Sequence, residues 1–323
     1  MVLFISIYIC PNRLLPISIS NIHEVLKMKK ASIPAATETS LHFKTAKRQS
    51  SYDRKYQESL LNWPVPFISF FVPTRFGSTH ILSCGPEDGT PLVLLHAMGF
   101  SSTVWYPNIE VLAKKHRIYA IDYIGDLNKS LPTATPASRE ECGQWMDDVL
   151  RELQLDTVSL GGISYGGFLA LNYTLYAPHR ILKLFLLSPA ATFVELHPTF
   201  IRRIISIAAL PMKWNIRRFL GWLSKHKLNS SMVNQFHAAF RYGSLSLKVA
   251  PGVYSDDELR QLQPPLLLLL GDQEVISDSG QAYVRATELC KTIQAELLPG
   301  LGHMLNLENP AEVNKRLEQF LHS

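Results

Sequence analysis

Apolar residues along the chain fall into short, near-continuous runs separated by longer stretches of mixed character. Residues 92–95, 118–121, 158–163, 184–187 and 266–270 contain almost no charged position. Strands buried on both faces lose the in-out alternation of half-exposed ones, so this pattern predicts a parallel sheet. Ahead of these runs, residues 67–72 and 79–84 read as two strands joined through Gly77, an antiparallel hairpin at one edge. Helical periodicity fills the gaps, as over 138–153 and over 166–176, where Ala177-Pro178 stops the helix. Strand and helix in alternation specify an α/β, doubly wound, mostly parallel sheet.

The alternation lapses once. Between about 191 and 263 the pattern is helical with no convincing strand, which predicts an inserted helical cap. That segment carries ten Lys/Arg against four Asp/Glu, and large apolar residues including Phe200, Ile204, Ile205, Trp214, Phe219, Trp222 and Phe236. Amphipathic helices packed on the core explain it, and a lid with an apolar underside is compatible with that reading. Alternation then resumes, with a strand at 295–298. Asn309-Pro310-Ala311-Glu312 follows, a helix start with an Asn cap and proline at the first helical position.

Residues 1–66 read as an N-terminal tail, and 67–323 as one domain. The segment 2–10 is an apolar, β-branched run too short to span a bilayer and without a positive charge ahead of it. A cleaved signal peptide and a later start at Met28 both stay open. Residues 31–51, rich in Ala, Thr, Ser and Lys, suit a loosely docked arm.

Charge and cysteine content narrow the function classes. The net charge of +5 resides wholly in residues 1–66, with nine Lys/Arg and four Asp/Glu, so the remaining body is neutral. A neutral body argues against nucleic-acid binding, which needs clustered basic side chains to replace phosphate counterions. Cys10, Cys84, Cys142 and Cys290 are widely spaced without a CxxC or Cys/His pattern, which suits a reducing, cytoplasmic setting and no disulfide framework. No P-loop, dinucleotide fingerprint or metal-ligand spacing occurs; the expectation is no cofactor and no metal.

The chemistry concentrates at Gly162-Ile163-Ser164-Tyr165-Gly166, placed after an apolar strand and before a helix. A nucleophile on a tight strand-to-helix turn needs small neighbours, and the helix that follows aims its first amides, Tyr165 among them, at a developing oxyanion. A serine hydroxyl is a weak nucleophile until a base takes its proton. Among eleven histidines, His303 stands out, because it follows a strand and the flexible Pro299-Gly300-Leu301-Gly302. A carboxylate must orient that histidine, and Gly271-Asp272-Gln273-Glu274, at the end of the 266–270 strand, offers two: Asp272 and Glu274.

From about residue 67 to 321 these features together resemble an α/β-hydrolase of the carboxylesterase type, whose catalytic residues follow in the order Ser, acid, His. The resemblance implies Ser164 as nucleophile, His303 as base, and Glu274, third after Gly271, as acid, with Asp272 the alternative. His96-Ala97-Met98-Gly99 is similar to the family's His-Gly loop, which nominates the Met98 amide as the second oxyanion donor beside Tyr165. Ala97 replaces the usual glycine there, a costly change if the position requires φ > 0. Asp122-Tyr123-Ile124-Gly125-Asp126 is similar to the family's Asp-x-x-Gly loop, where the first aspartate is structural.

The implied activity is hydrolysis of a small-molecule acyl ester through an acyl-enzyme, without a membrane span. Acyl transfer to an alcohol, carbon-carbon or amide hydrolysis, and a receptor-like member that binds without turnover remain alternatives, because fold alone does not fix function.

Overall fold

The computed structural model of this protein describes residues 6–8 and 42–323. One ten-stranded sheet runs through them in the order β1-β2-β3-β5-β4-β7-β8-β9-β10, with the two-residue β6 (Leu131–Pro132) paired to β3. β1 (Ser6–Tyr8), β2 (Phe67–Thr74), β3 (Gly77–Cys84) and β5 (His116–Asp122) pair antiparallel in turn. From β5 onward every neighbouring pair is parallel: β4 (Thr90–Leu95), β7 (Val158–Ile163), β8 (Ile181–Leu187), β9 (Leu266–Gly271) and β10 (Ile293–Leu298).

The near-continuous apolar runs are doubly buried as their composition demands. Leu92 and Leu94 point into one core, and Val93 and Leu95 into the other. The first core is closed by α2 (Tyr106–Leu112) and α11 (Pro310–His322), the second by α3 (Arg139–Glu152), α4 (Tyr165–Tyr176) and α9 (Ser279–Leu289). Caps set the boundaries: Ser138 accepts from the Glu141 amide and Asn309 from the Glu312 amide.

The strand order reverses beside β4, with β5 on one side and β7 on the other. Connections leaving the carboxyl ends of β4 and β7 therefore diverge, and a crevice opens between them. Both the His96-Ala97-Met98-Gly99 loop and Ser164 leave the sheet at this point.

Four helices lie between β8 and β9: α5 (Pro198–Ala209), α6 (Lys213–Leu223), α7 (Ser230–Tyr242) and α8 (Asp256–Arg260). Phe200, Phe219, Leu220, Phe236 and Ala239 are buried and join the core on the α2 and α11 side. Trp214, at 57% exposure, and Ile205, at 61%, instead face solvent. A short α10 (Leu305–Glu308) precedes α11. No helix among the described residues is long and apolar enough to cross a membrane.

Residues 42–66, read as part of an N-terminal tail, are built into the fold. α1 (Ala46–Leu60) is built into the fold, with Tyr52, Tyr56, Ser59 and Leu60 buried along one face. The Tyr52 hydroxyl accepts from the Gln235 amide of α7 at 3.3 Å, and Phe43 bridges Gly243. The stripe is narrow and the rest of the helix strongly polar, so the composition masks the periodicity. Ser6–Tyr8, within the apolar 2–10 run, adds a strand to the sheet edge, as a β-branched run can. Met28 and the remainder of 9–41 lie outside the described residues.

Candidate active site

Ser164 joins β7 to α4 with φ 53° and ψ −117°, a backbone conformation costly for a residue with a Cβ. Its surroundings fix it there. The Ser164 amide donates to the Leu187 carbonyl at 3.0 Å, and its carbonyl accepts from the Phe168 and Ala190 amides at 3.1 and 3.0 Å. The turn is so tight that a Cβ on Gly162 would stand 2.2 Å from the Gly166 carbonyl oxygen. A Cβ on Gly166 would stand 2.4 Å from the Leu95 oxygen and 2.5 Å from that of His96. The serine motif and the β4 loop thus meet backbone to backbone, which is the physical reason for glycine at both positions.

His303 and Glu274 come together from separate strand ends. The His303 Nδ1 lies 2.8 Å from Glu274 Oε2, and both side chains are 2% exposed or less. Glu274 Oε1 accepts from the Val275 and Ile276 amides at 2.8 and 3.0 Å. Burial pushes this carboxyl up, but the His303 ring and the two amides outweigh it and hold Glu274 below its ordinary value. Glu274 is therefore an ionised, oriented acceptor. With the Nδ1 proton held toward it, the Nε2 of the imidazole is left free as a base.

Asp272 lies elsewhere. It is exposed, and its Oδ1 accepts from the Gly300 amide at 2.7 Å, closing the turn before the histidine loop. Ser164 is 6% exposed.

The β4 loop carries Met98, half-buried against both cores. Among the described residues the non-glycine positions of positive φ are Gln154, Ser164, Ser188 and Ala191, so Ala97 adopts ordinary geometry. The left-handed residue of the loop is Gly99, at φ 77°. Alanine in place of the family's usual glycine costs no backbone strain.

Two carboxylates that sequence reasoning did not single out shape this site. Asp126 is fully buried and accepts from the Gly99 amide at 2.8 Å, the Leu127 amide at 2.7 Å and the Tyr123 hydroxyl at 2.6 Å, pinning the β4 loop. Glu308 accepts from Gly302 and Met304, the amides on either side of His303, at 3.0 and 3.1 Å. It also accepts from the Lys225 amide of the cap at 3.1 Å. The signal for Glu308 was an acid directly after the largely apolar Met304-Leu305-Asn306-Leu307, five residues past the histidine. Asp122 has a structural environment: its carboxylate accepts from Ser102 N and Oγ, both at 2.7 Å, and faces His80 Nδ1 at 2.9 Å.

A family model described as the alpha/beta hydrolase family matches residues 92–316. The chain belongs to the α/β-hydrolase family. Its similarity extends to two proteins of Bacillus subtilis strain 168. An uncharacterized carboxylesterase, nap, is 39% identical over 280 residues, covering 84% of this chain and 92% of that protein. Carboxylesterase YbfK is 37% identical over 290 residues, covering 87% and 97%. The crystal structure of naproxen esterase (carboxylesterase NP) from the same species superposes with a TM-score of 0.82 at 39% identity, over 86% of this chain and 99% of that one. That of carboxylesterase CesB (YbfK) gives 0.81 at 37% identity, over 85% and 99%.

Proposed function

We propose that this protein is a cofactor-free carboxylesterase that cleaves a small-molecule ester by way of an acyl-enzyme on Ser164. The observation that carries the reading is the buried Glu274–His303 pair at 2.8 Å. It sits in loops leaving the same sheet edge from which Ser164 projects in its strained turn. Similarity to carboxylesterases over most of the chain supports the ester as substrate.

The steps follow from the groups present. His303 Nε2 takes the Ser164 hydroxyl proton as Oγ attacks the ester carbonyl carbon. The carbonyl oxygen gains negative charge and is met by the Tyr165 amide, one of the N–H groups without a helical partner at the start of α4, and by the Met98 amide. Collapse expels the alcohol, which leaves with the proton from His303. Water then repeats the sequence, releasing the carboxylic acid and restoring the serine. Glu274 stabilises the imidazolium in both halves. The free, buried Cys84, Cys142 and Cys290 suit a cytoplasmic location.

The test is a Ser164→Ala variant with its fold checked by circular dichroism. Labelling by a serine-directed fluorophosphonate should vanish, and kcat/KM on p-nitrophenyl acetate should fall by on the order of 10⁴-fold or more. Near-normal turnover in the folded variant would overturn the assignment.

A further inference from the structure

From Leu196 to Ser255 the cap holds nine Lys/Arg and no Asp/Glu. None of these nine cations forms an ion pair among the described residues. Six of the eleven large apolar side chains exposed among the described residues fall within the same segment: Ile201, Ile205, Leu210, Met212, Trp214 and Leu245. The first five cluster on α5 and the start of α6. A stretch that shows large apolar groups and unpaired cations together matches an interface that is apolar inside and anionic outside.

The cations are also arranged. A cavity of about 300 Å³ between α5 and α6 is lined by Arg202, Arg203 and Arg218 with Thr199, Ser206 and Asn215. Among the described residues no carboxylate lines it. Arg203 stacks its guanidinium over Trp222 at 4.5 Å and keeps a buried Nε without a hydrogen-bond partner among the described residues. Arg202 donates to the Thr199 hydroxyl at 3.1 Å. On α5, Ile201 and Ile205 share the solvent face one turn apart, and Arg202 and Ser206, next to each in sequence, turn toward the cavity. Apolar rim and cationic hollow therefore adjoin.

We propose that the α5–α6 face of the cap docks on an anionic phospholipid surface, with a headgroup phosphate seated among Arg202, Arg203 and Arg218 and the exposed apolar side chains entering the acyl boundary. Charge complementarity selects this occupant. A second copy of the chain apposed on the same face would set like charges against each other, and a free phosphate would leave the apolar rim in water. Guanidinium suits the task, since its planar fork pairs with phosphate oxygens two at a time. Docking would place the cap, and the active site beneath it, against a phase in which apolar esters concentrate.

The experiment is co-sedimentation of the full chain with vesicles of phosphatidylglycerol, with vesicles of phosphatidylcholine alone, and a thermal shift with inorganic phosphate. Binding to the anionic vesicles, weakened by salt, is the expected result. Arg202→Gln and Arg218→Gln should each weaken it by about five-fold, the effect of one cation near an anionic surface. Ile205→Ser and Trp214→Ser should weaken it while leaving its salt dependence in place. All four should melt near the parent and turn over p-nitrophenyl acetate at the parent rate, which separates this inference from the esterase reading. Absence of sedimentation with phosphatidylglycerol at low salt would overturn it. So would equal binding to phosphatidylcholine, or stabilisation by inorganic phosphate without vesicle binding.

Discussion

Replacing Glu274 by glutamine removes a charge and keeps the shape, so its consequences can be worked from the hydrogen bonds. The carboxylate meets His303 Nδ1 with Oε2 and the Val275 and Ile276 amides with Oε1. A glutamine has one oxygen for these two positions. If the oxygen turns to the histidine, the amide NH₂ confronts two buried N–H donors, at about 1–3 kcal/mol for each one left unpaired. If the oxygen stays on the backbone, the NH₂ faces Nδ1, which must become an acceptor. The imidazole proton then moves to Nε2, and the base loses its free lone pair. The second arrangement costs less folding energy, so Glu274→Gln should fold and lose on the order of 10³–10⁴ in kcat/KM, about 4–6 kcal/mol of transition-state stabilisation. Asp272→Asn keeps an oxygen for the exposed Gly300 amide and should stay within about three-fold of the parent. Both variants are compared by kcat/KM on one soluble ester, with thermal unfolding measured alongside. A loss of several orders of magnitude in Asp272→Asn, beside near-normal Glu274→Gln, would refute the reasoning and exchange the two roles.

Glu308→Gln should orphan one of the three amides that the carboxylate holds. It should cost about 1–3 kcal/mol in urea unfolding and also lower kcat by loosening the loop around His303; unchanged kcat in a destabilised protein would reduce Glu308 to a purely structural residue. Asp148 supplies a pH effect: burial pushes its carboxyl up, but the Arg75 guanidinium and amide together with Arg151 hold it at about 2, against about 3.9 unfolded. Its contribution of about 2 kcal/mol is complete above pH of about 4 and lost as pH falls through about 2, so the stability difference between parent and Asp148→Asn should shrink from pH 6 toward pH 3.

What the sequence disclosed, and what it withheld, follows the range of the forces involved. The strand at Leu92–Leu95 was legible because burial on both faces leaves a mark at every position. Ser164 was legible because its strained turn excludes side chains at Gly162 and Gly166. Asp272 and Glu274 could not be separated by spacing alone, since which carboxylate faces the histidine depends on how the turn after β9 folds back. α1 was missed because its buried face rests on two tyrosines in a polar helix, and their partners, Gln235 among them, lie far along the chain. Asp126 and Glu308 act mainly through backbone amides, which sequence does not mark, so Asp126 leaves no pattern and Glu308 only that of an acid beside apolar residues. Trp214 and Phe219 are both large apolar residues of the cap, yet the first is exposed at the start of α6 and the second buried, a difference set by packing rather than by residue type.

The cap does more than cover the crevice, because it holds two parts of the site by hydrogen bonds and packing. The Leu223 carbonyl at the end of α6 accepts from the His303 amide at 2.9 Å, and Glu308 ties the same loop to Lys225. On the other side, Phe236 and Phe240 of α7 lie so close to Gly99 that a Cβ there would stand 2.9 and 2.6 Å from their rings. Gln235 binds Ser101 at 2.6 Å, a few residues further along the same loop. Ser164 is 6% and His303 2% exposed, so a bulky substrate is expected to part some of these elements on entry. Any separation that starts at α6 weakens the bond fixing the base, and any that starts at α7 unloads the Met98–Gly99 loop. On the proposed mechanism, a state opened to admit substrate would align the candidate catalytic groups less well than the one described, and closure over the ester would restore the alignment. Binding energy from the ester's apolar parts against the cap would then drive closure, and substitutions at the cap–loop contacts should change kcat and KM together rather than KM alone.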